Sequence, residues 1–266
     1  MINNEKAYEY ISKNLRYDNS EKMIKVVDKL IENGFDINFK SNKQPSLLEI
    51  SIAKHCDDFF KHLIKKGANY NVELVSIDLM DYDIGFSEHE YRIYPKIADM
   101  LVRYEKWDLL KIIIDNSELC LDGTLYRVFD KCLHNYKAMH NKKYFKDLYS
   151  GVFTRKEMPK VMNSFRQDYD ECIDILKSLS ERFNIDLRTY ELCSNTEWHA
   201  TLKSYCAPFP YDVYNTKSGI DVEKSTPETR KEKAEYLKIF DIIMNDIYEQ
   251  NLNNTSIENN DNELTM

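Results

Sequence analysis

The chain has 266 residues, of which 42% are hydrophobic and 12% aromatic, enough to bury one large core or two ordinary ones. Its 6 Gly and 6 Pro are too few for a loop-rich or all-β protein, and a formal net charge of −8 argues against nucleic-acid binding across the whole surface. No stretch reaches the roughly 18 apolar residues of a membrane span, and the opening MINNEKAYEYISKN lacks the apolar run of a secretory signal. An intracellular protein with no membrane partner is therefore expected. Six scattered cysteines (Cys56, Cys120, Cys132, Cys172, Cys193 and Cys206) form no CxxC pair, so buried reduced thiols are the better reading than disulfides. The sequons at Asn253 and Asn254 carry no weight without secretion.

In chain order, the first patterned segment is MIKVVDKLIENG, whose Val26, Val27, Leu30 and Ile31 make one stripe of an amphipathic helix. Gly34 follows where a left-handed residue would end the helix, and Asp36 and Asn38 suit a turn. The segment CDDFFKHLIKKG repeats this 33 residues later, with Phe59, Phe60, Leu63 and Ile64, then Gly67, Asn69 and Asn71. Between them SLLEISIAKHC begins a helix that Ser46 can cap. A third copy, WDLLKIIIDNS, keeps Leu109, Leu110, Ile113 and Ile114 but has Ser117 in place of Gly. Its spacing of 50 residues implies about 17 inserted residues in ELVSIDLMDYDIGFSEHEYRIYP. ECIDILKSLSERFNIDL, with Cys172, Ile173, Leu176 and Leu179, is a looser fourth.

The 33-residue period, the helix stripe, the glycine and the Asx-x-Asn turn together resemble the ankyrin-repeat family. Ser46 to Glu49 resembles that family's TPLH helix start, though Leu47 and Glu49 depart from it. In the first copy the equivalent stretch, KNLRYDN, keeps only Leu15. The Asn-, Lys-, Ile- and Tyr-rich composition is similar to that of the ankyrin proteins of large DNA viruses. The resemblance implies an all-α, ankyrin-like helical solenoid. It also implies binding of a protein partner, a host factor if the chain is viral and acts in the cytoplasm of an infected cell. In the family, partners lie across the turn tips and the first helix of each unit. Carried onto this sequence, the tips are Phe39, Lys40, Asn42 and Lys43, with Tyr70 leading into the inserted segment and its Tyr82, Phe86 and Tyr91. Its Asp78, Asp81, Asp83, Glu88 and Glu90 either meet a basic partner, or the segment merely covers hydrophobic surface where a repeat has decayed.

Downstream, GTLYRVFDKCLHNYKAMHNKKYFKDLY reads as one long helix and KVMNSFRQDYDECIDILKSLSERF as a second. Together they predict a helical hairpin longer than a repeat. STPETRKEKAEYLKIFDIIMNDIYEQN reads as a C-terminal capping helix, with Thr226 at N-cap, Pro227 at N1 and a stripe of Tyr236, Ile239, Phe240, Ile243, Met244 and Ile247. The predicted organisation is repeats over 1–121 with an inserted loop at about 74–95, the extended hairpin over 122–187, an irregular segment and capping helix over 188–250, and a disordered tail over 251–266.

Catalysis finds little support. No GxSxG, GxGxxG, Walker A or EF-hand sequence occurs. His55 and Cys56 are neighbours, pointing about 100° apart on a helix, which is not a poised pair. Cys193, His199 and Cys206 have spacings unlike the short pairs of zinc sites. No enzyme activity, cofactor or metal is predicted, and a monomer is favoured. Residues 136–169 hold eight cations against three acids, interleaved with seven aromatics. Lys142, Lys143, Tyr144 and Lys146 at its centre could bind an acidic protein or single-stranded nucleic acid. Alternatively, the segment is a solvated hairpin tip with its aromatics packed inside. Self-assembly as a structural protein, or an unrecognised metal protein or enzyme, are the alternatives to a binding module.

Overall fold

The computed structural model describes residues 2–40, 44–71, 96–118, 121–149, 152–154, 156–192, 200–205, 231 and 234–248. The described chain is all-helical apart from a two-residue antiparallel ladder, and it divides into two compact units, Met1–Ser117 and Glu118–Met266.

The first unit is three successive helix pairs: α1 (Asn4–Asn14) with α2 (Ser20–Glu32), α3 (Leu47–Ala53) with α4 (Asp57–Lys65), and α5 (Ile97–Arg103) with α6 (Trp107–Asn116). First helices touch first helices in the order α1, α3, α5, and second helices touch in the order α2, α4, α6. The stripes explain this stacking. Phe59, Phe60 and Leu63 of α4 and Leu109, Leu110, Ile113 and Ile114 of α6 are all buried. Each such side chain stabilises the unit by roughly 2–3 kcal/mol. Only Val27 of the α2 stripe is fully buried, joined by Met23, because α2 has a neighbouring second helix on one side alone. Ion pairs cross between pairs of helices: Asp28 meets Lys66 at 2.7 Å, and Asp57 meets Lys106 at 2.8 Å.

The spacings read from the sequence recur in the backbone. Gly34 and Gly67 have φ of +91° and +89°. In both turns the glycine N–H donates to the residue three back (Ile31, Ile64) and the next N–H reaches five back (Leu30, Leu63). At the 50-residue offset, His55 and Glu105 share a φ of 54° and the same turn between their helices. Ser46 does cap α3: its hydroxyl accepts from Glu49 N–H while the Glu49 carboxylate accepts from Ser46 N–H. Glu49 thus closes a capping box with Ser46.

Two segments fold differently from the sequence reading. KNLRYDN does not start the first helix. Asn3 caps α1, accepting from Lys6 N–H, and Ala7, Tyr8, Ile11 and Leu15 bury its stripe. KNLRYDN ends that helix and forms a 3-10 turn at Tyr17–Asn19, in which Asn19 accepts from Arg16 N–H and donates to the Asn14 carbonyl. Lys54 of the next pair donates to the carbonyls of Ser12 and Leu15 at the end of α1.

In the second unit, the single long helix expected after Gly123 is two: α7 (Asp122–His140) and α8 (Lys142–Tyr149). Asn141 separates them with an extended backbone, φ −111° and ψ 98°. Its side-chain oxygen accepts from Tyr144 N–H at 3.0 Å, and its amide donates to Glu235 at 3.0 Å. This is the competition of a short amide with the helix ladder. The expected second helix is α9 (Met158–Phe183), which lies along α7 and ends at Asn184 in the left-handed conformation. Cys132 on α7 and Cys172 on α9 are buried thiols outside any disulfide. Beyond come the ladder, β1 (Glu191–Leu192) with β2 (Ala200–Thr201), a short α10 (Leu202–Tyr205), and α11 over 234–248. In α11, Ile239, Phe240, Ile243, Met244 and Ile247 are buried as the stripe predicts. The Tyr169 hydroxyl donates to Asp246, and Tyr248 accepts from Leu187 N–H. The predicted cap at Thr226 and Pro227, the inserted loop at 74–95 and the tail at 251–266 lie outside the described residues.

Candidate functional site

The turn tips of the first unit are built on short polar side chains. Asp36 accepts from Asn38 N–H at 2.9 Å, and Asn69 accepts from Asn71 N–H at 2.9 Å, so the same Asx turn recurs 33 residues apart. Consecutive turns are stitched together. Asn4 accepts from Asp36 N–H at 3.1 Å, and Asn38 accepts from Asn69 N–H at 2.6 Å while donating to the Gly67 carbonyl at 3.4 Å. The sequence signal for this stitch was present in Asx-x-Asn, where the first residue closes its own turn and the second reaches the next. Its bridging role is not legible in sequence, because a link to the next helix pair has no local signature.

Several residues predicted to face a partner are used inside the fold. Phe39 is half-buried, its ring edge-on to Tyr8 at 6.2 Å, and the Tyr8 hydroxyl donates to the Pro45 carbonyl. Lys40 is half-buried. The Tyr70 hydroxyl donates to the Asn116 carbonyl at 2.5 Å, at the C-terminus of α6. Asn42, Lys43, Tyr82, Phe86 and Tyr91 lie outside the described residues.

In the second unit the interleaved aromatics form a cluster around His134. Its Nδ1 lies 2.9 Å from the Tyr144 hydroxyl and its Nε2 3.1 Å from the Tyr149 hydroxyl. Phe165 packs on the imidazole at 6.2 Å, and Phe145, Tyr149 and Phe153 continue the ring contacts. Burial lowers the His134 pKa, and the positive charges of Lys131 and Lys137 lower it further. A neutral imidazole satisfies both tyrosines, donating to one and accepting from the other. Burial likewise pushes the Tyr144 phenol up to about 12. Lys137 is itself buried, its ammonium over the Tyr144 and Tyr236 rings at 4.5 and 4.0 Å.

The same segment exposes six other cations among the described residues. Lys142, Lys143 and Lys146 point outward from α8, and Lys156, Lys160 and Arg166 are exposed in and after the turn into α9. Of the four residues singled out there, the three lysines share an exposed face, while Tyr144 belongs to the His134 cluster.

The groups weighed for chemistry are dispersed. Cys56 is buried, and desolvation raises its thiol to about 11, which suppresses the thiolate a nucleophile needs. His55 is exposed, its ring edge-on to Tyr104. Cys193, His199 and Cys206 lie outside the described residues, and among the described ones no group of three or more His, Cys, Asp or Glu could hold a metal ion. No described helix is long and apolar enough to cross a membrane. Compared with protein-family models, curated proteins and solved structures, the chain matches none.

Proposed function

We propose that the chain is a non-catalytic protein-interaction module whose first unit is a short ankyrin-like solenoid. The observation that carries this reading is the recurrence at 33 residues of a left-handed glycine, an Asx turn and a stitched tip across stacked helix pairs. Side chains that fix the tips against one another leave a preorganised edge, which lowers the entropy lost when a partner binds. The partner is a protein, and a host protein if the composition reflects a viral source. It approaches the tip at residues 40–44 and the inserted segment with Tyr82, Phe86 and Tyr91.

The experiment is affinity capture from the native cell with the full chain as bait, followed by reconstitution with the purified partner. In parallel, Lys43→Glu is made at the tip. The expected result is a partner that binds the wild type and loses affinity for the tip variant. A chain that captures only copies of itself would favour a self-assembling structural protein instead.

A further inference from the structure

The turn between α8 and α9 combines two features that the fold itself does not use. The first is charge. Residues 142–160 carry six cations against two acids, a local excess of four positive charges in a chain of net −8. Five of the cations, Lys142, Lys143, Lys146, Lys156 and Lys160, are exposed and form no ion pair among the described residues. The second is apolar. Val152 is 62% exposed and Phe153 36%, two of the few large hydrophobic side chains left outward among the described residues. The described residues of the turn are tied by hydrogen bonds. Val152 N–H donates to the Tyr149 carbonyl, and the Glu157 carboxylate accepts from both the N–H and the hydroxyl of Thr154. Phe153 rests on the Tyr149 ring at 5.7 Å, which ties the apex to the aromatic cluster below.

We propose that this turn docks the protein on an anionic lipid surface, with Val152 and Phe153 entering the headgroup boundary and the lysines meeting lipid phosphates and carboxylates. The chemistry selects this occupant. A bilayer interface offers negative charge and an apolar interior in the same place, and a basic amphipathic helix with an apolar apex matches both. Single-stranded nucleic acid would need free aromatic faces for stacking, and Tyr144, Phe145 and Tyr149 are engaged around His134 and Phe165. An acidic polypeptide would answer the lysines and leave Val152 in water. The docking is a surface contact that needs no spanning helix, and it does not depend on the interaction reading of the first unit.

The test is co-sedimentation of the full chain with vesicles of phosphatidylcholine containing phosphatidylserine, and with vesicles of phosphatidylcholine alone. Binding is expected to the first and not the second, and to fall as salt is added. Each of Lys142→Glu and Lys146→Glu should lower the partition by about fivefold or more, and Val152→Asp should lower it as well. Circular dichroism reports whether a variant is folded, and Lys142→Ala with Lys146→Ala carries the same test if the reversed charges are not tolerated. Equal partition to both vesicles, or wild-type binding by the lysine variants, overturns the proposal. So does competition by soluble polyglutamate with Val152→Asp unaffected, which would assign the turn to an acidic polypeptide.

Discussion

At the scale of single residues, Gly34 and Gly67 are held by backbone conformation alone. A Cβ built at either position meets nothing within 4 Å, while φ near +90° is strained for any L side chain. Gly67→Ala should therefore destabilise the first unit by ~1 kcal/mol, the left-handed penalty outweighing the smaller gain from a stiffer unfolded chain. Gly67→Asn should cost less, because Asn tolerates that region. Urea denaturation of the three proteins reads the order, and equal stability of the Ala variant and wild type would refute a conformational requirement. His134 gives a pH prediction of definite sign. Its pKa in the fold lies below the unfolded value of about 6.5. Above that pH both states are neutral and His134 adds no pH dependence. As pH falls through about 6.5 toward the lower folded pKa, the unfolded chain takes up the proton first and stability drops. The wild type should thus lose stability relative to His134→Gln as pH falls below about 6.5, and a pH-independent difference would show that the imidazole titrates normally.

Asn141 decides the element scale. It ends α7, caps α8 and holds Glu235, three functions that Ala cannot perform. Asn141→Ala should cost the second unit about 1–2 kcal/mol, from a lost cap and a lost side-chain hydrogen bond. It should also speed amide exchange at Tyr144, and exchange at the wild-type rate would rule out the cap. The sequence reading ran a helix through this position because its periodicity continues across it. A break made by one amide with partners at Tyr144 and at distant Glu235 leaves the apolar pattern intact. The opposite error occurred at KNLRYDN, where the 33-residue register was extended to a pair of helices that had lengthened. There the local signals, Asn3 as cap with Ala7, Tyr8 and Ile11 as stripe, were legible and were overridden by the repeat. Elements with an unbroken apolar stripe, such as α4, α6 and α9, are read from sequence within a few residues, and the buried stripe of α11 is read as it stands. In the candidate sites, the outward lysines of α8 were legible as charge. The inward turns of Phe39, Tyr70 and Tyr144 were not, because each is fixed by a partner well away along the chain.

For the whole molecule, charge and exposed apolar surface together set the association state. The large hydrophobic side chains left outward among the described residues are Tyr10, Tyr17, Val152, Phe153 and Ile242. Apart from the adjacent Val152 and Phe153 they are isolated in the chain, and single exposed apolar residues do not make an interface. A net charge of −8 at pH 7 adds mutual repulsion between copies. Sedimentation velocity at pH 7 should give one species near 31.7 kDa across a dilution series. Near the isoelectric point of about 5.4 the repulsion vanishes, and weak association should appear there and disappear again on adding Asp or Glu to the surface. A dimer that survives dilution at pH 7 would need a built, self-complementary contact, since charge opposes it. It would favour self-assembly over the proposed binding module, and Val152→Asp would then test whether the exposed apex of the α8–α9 turn is the patch two copies share.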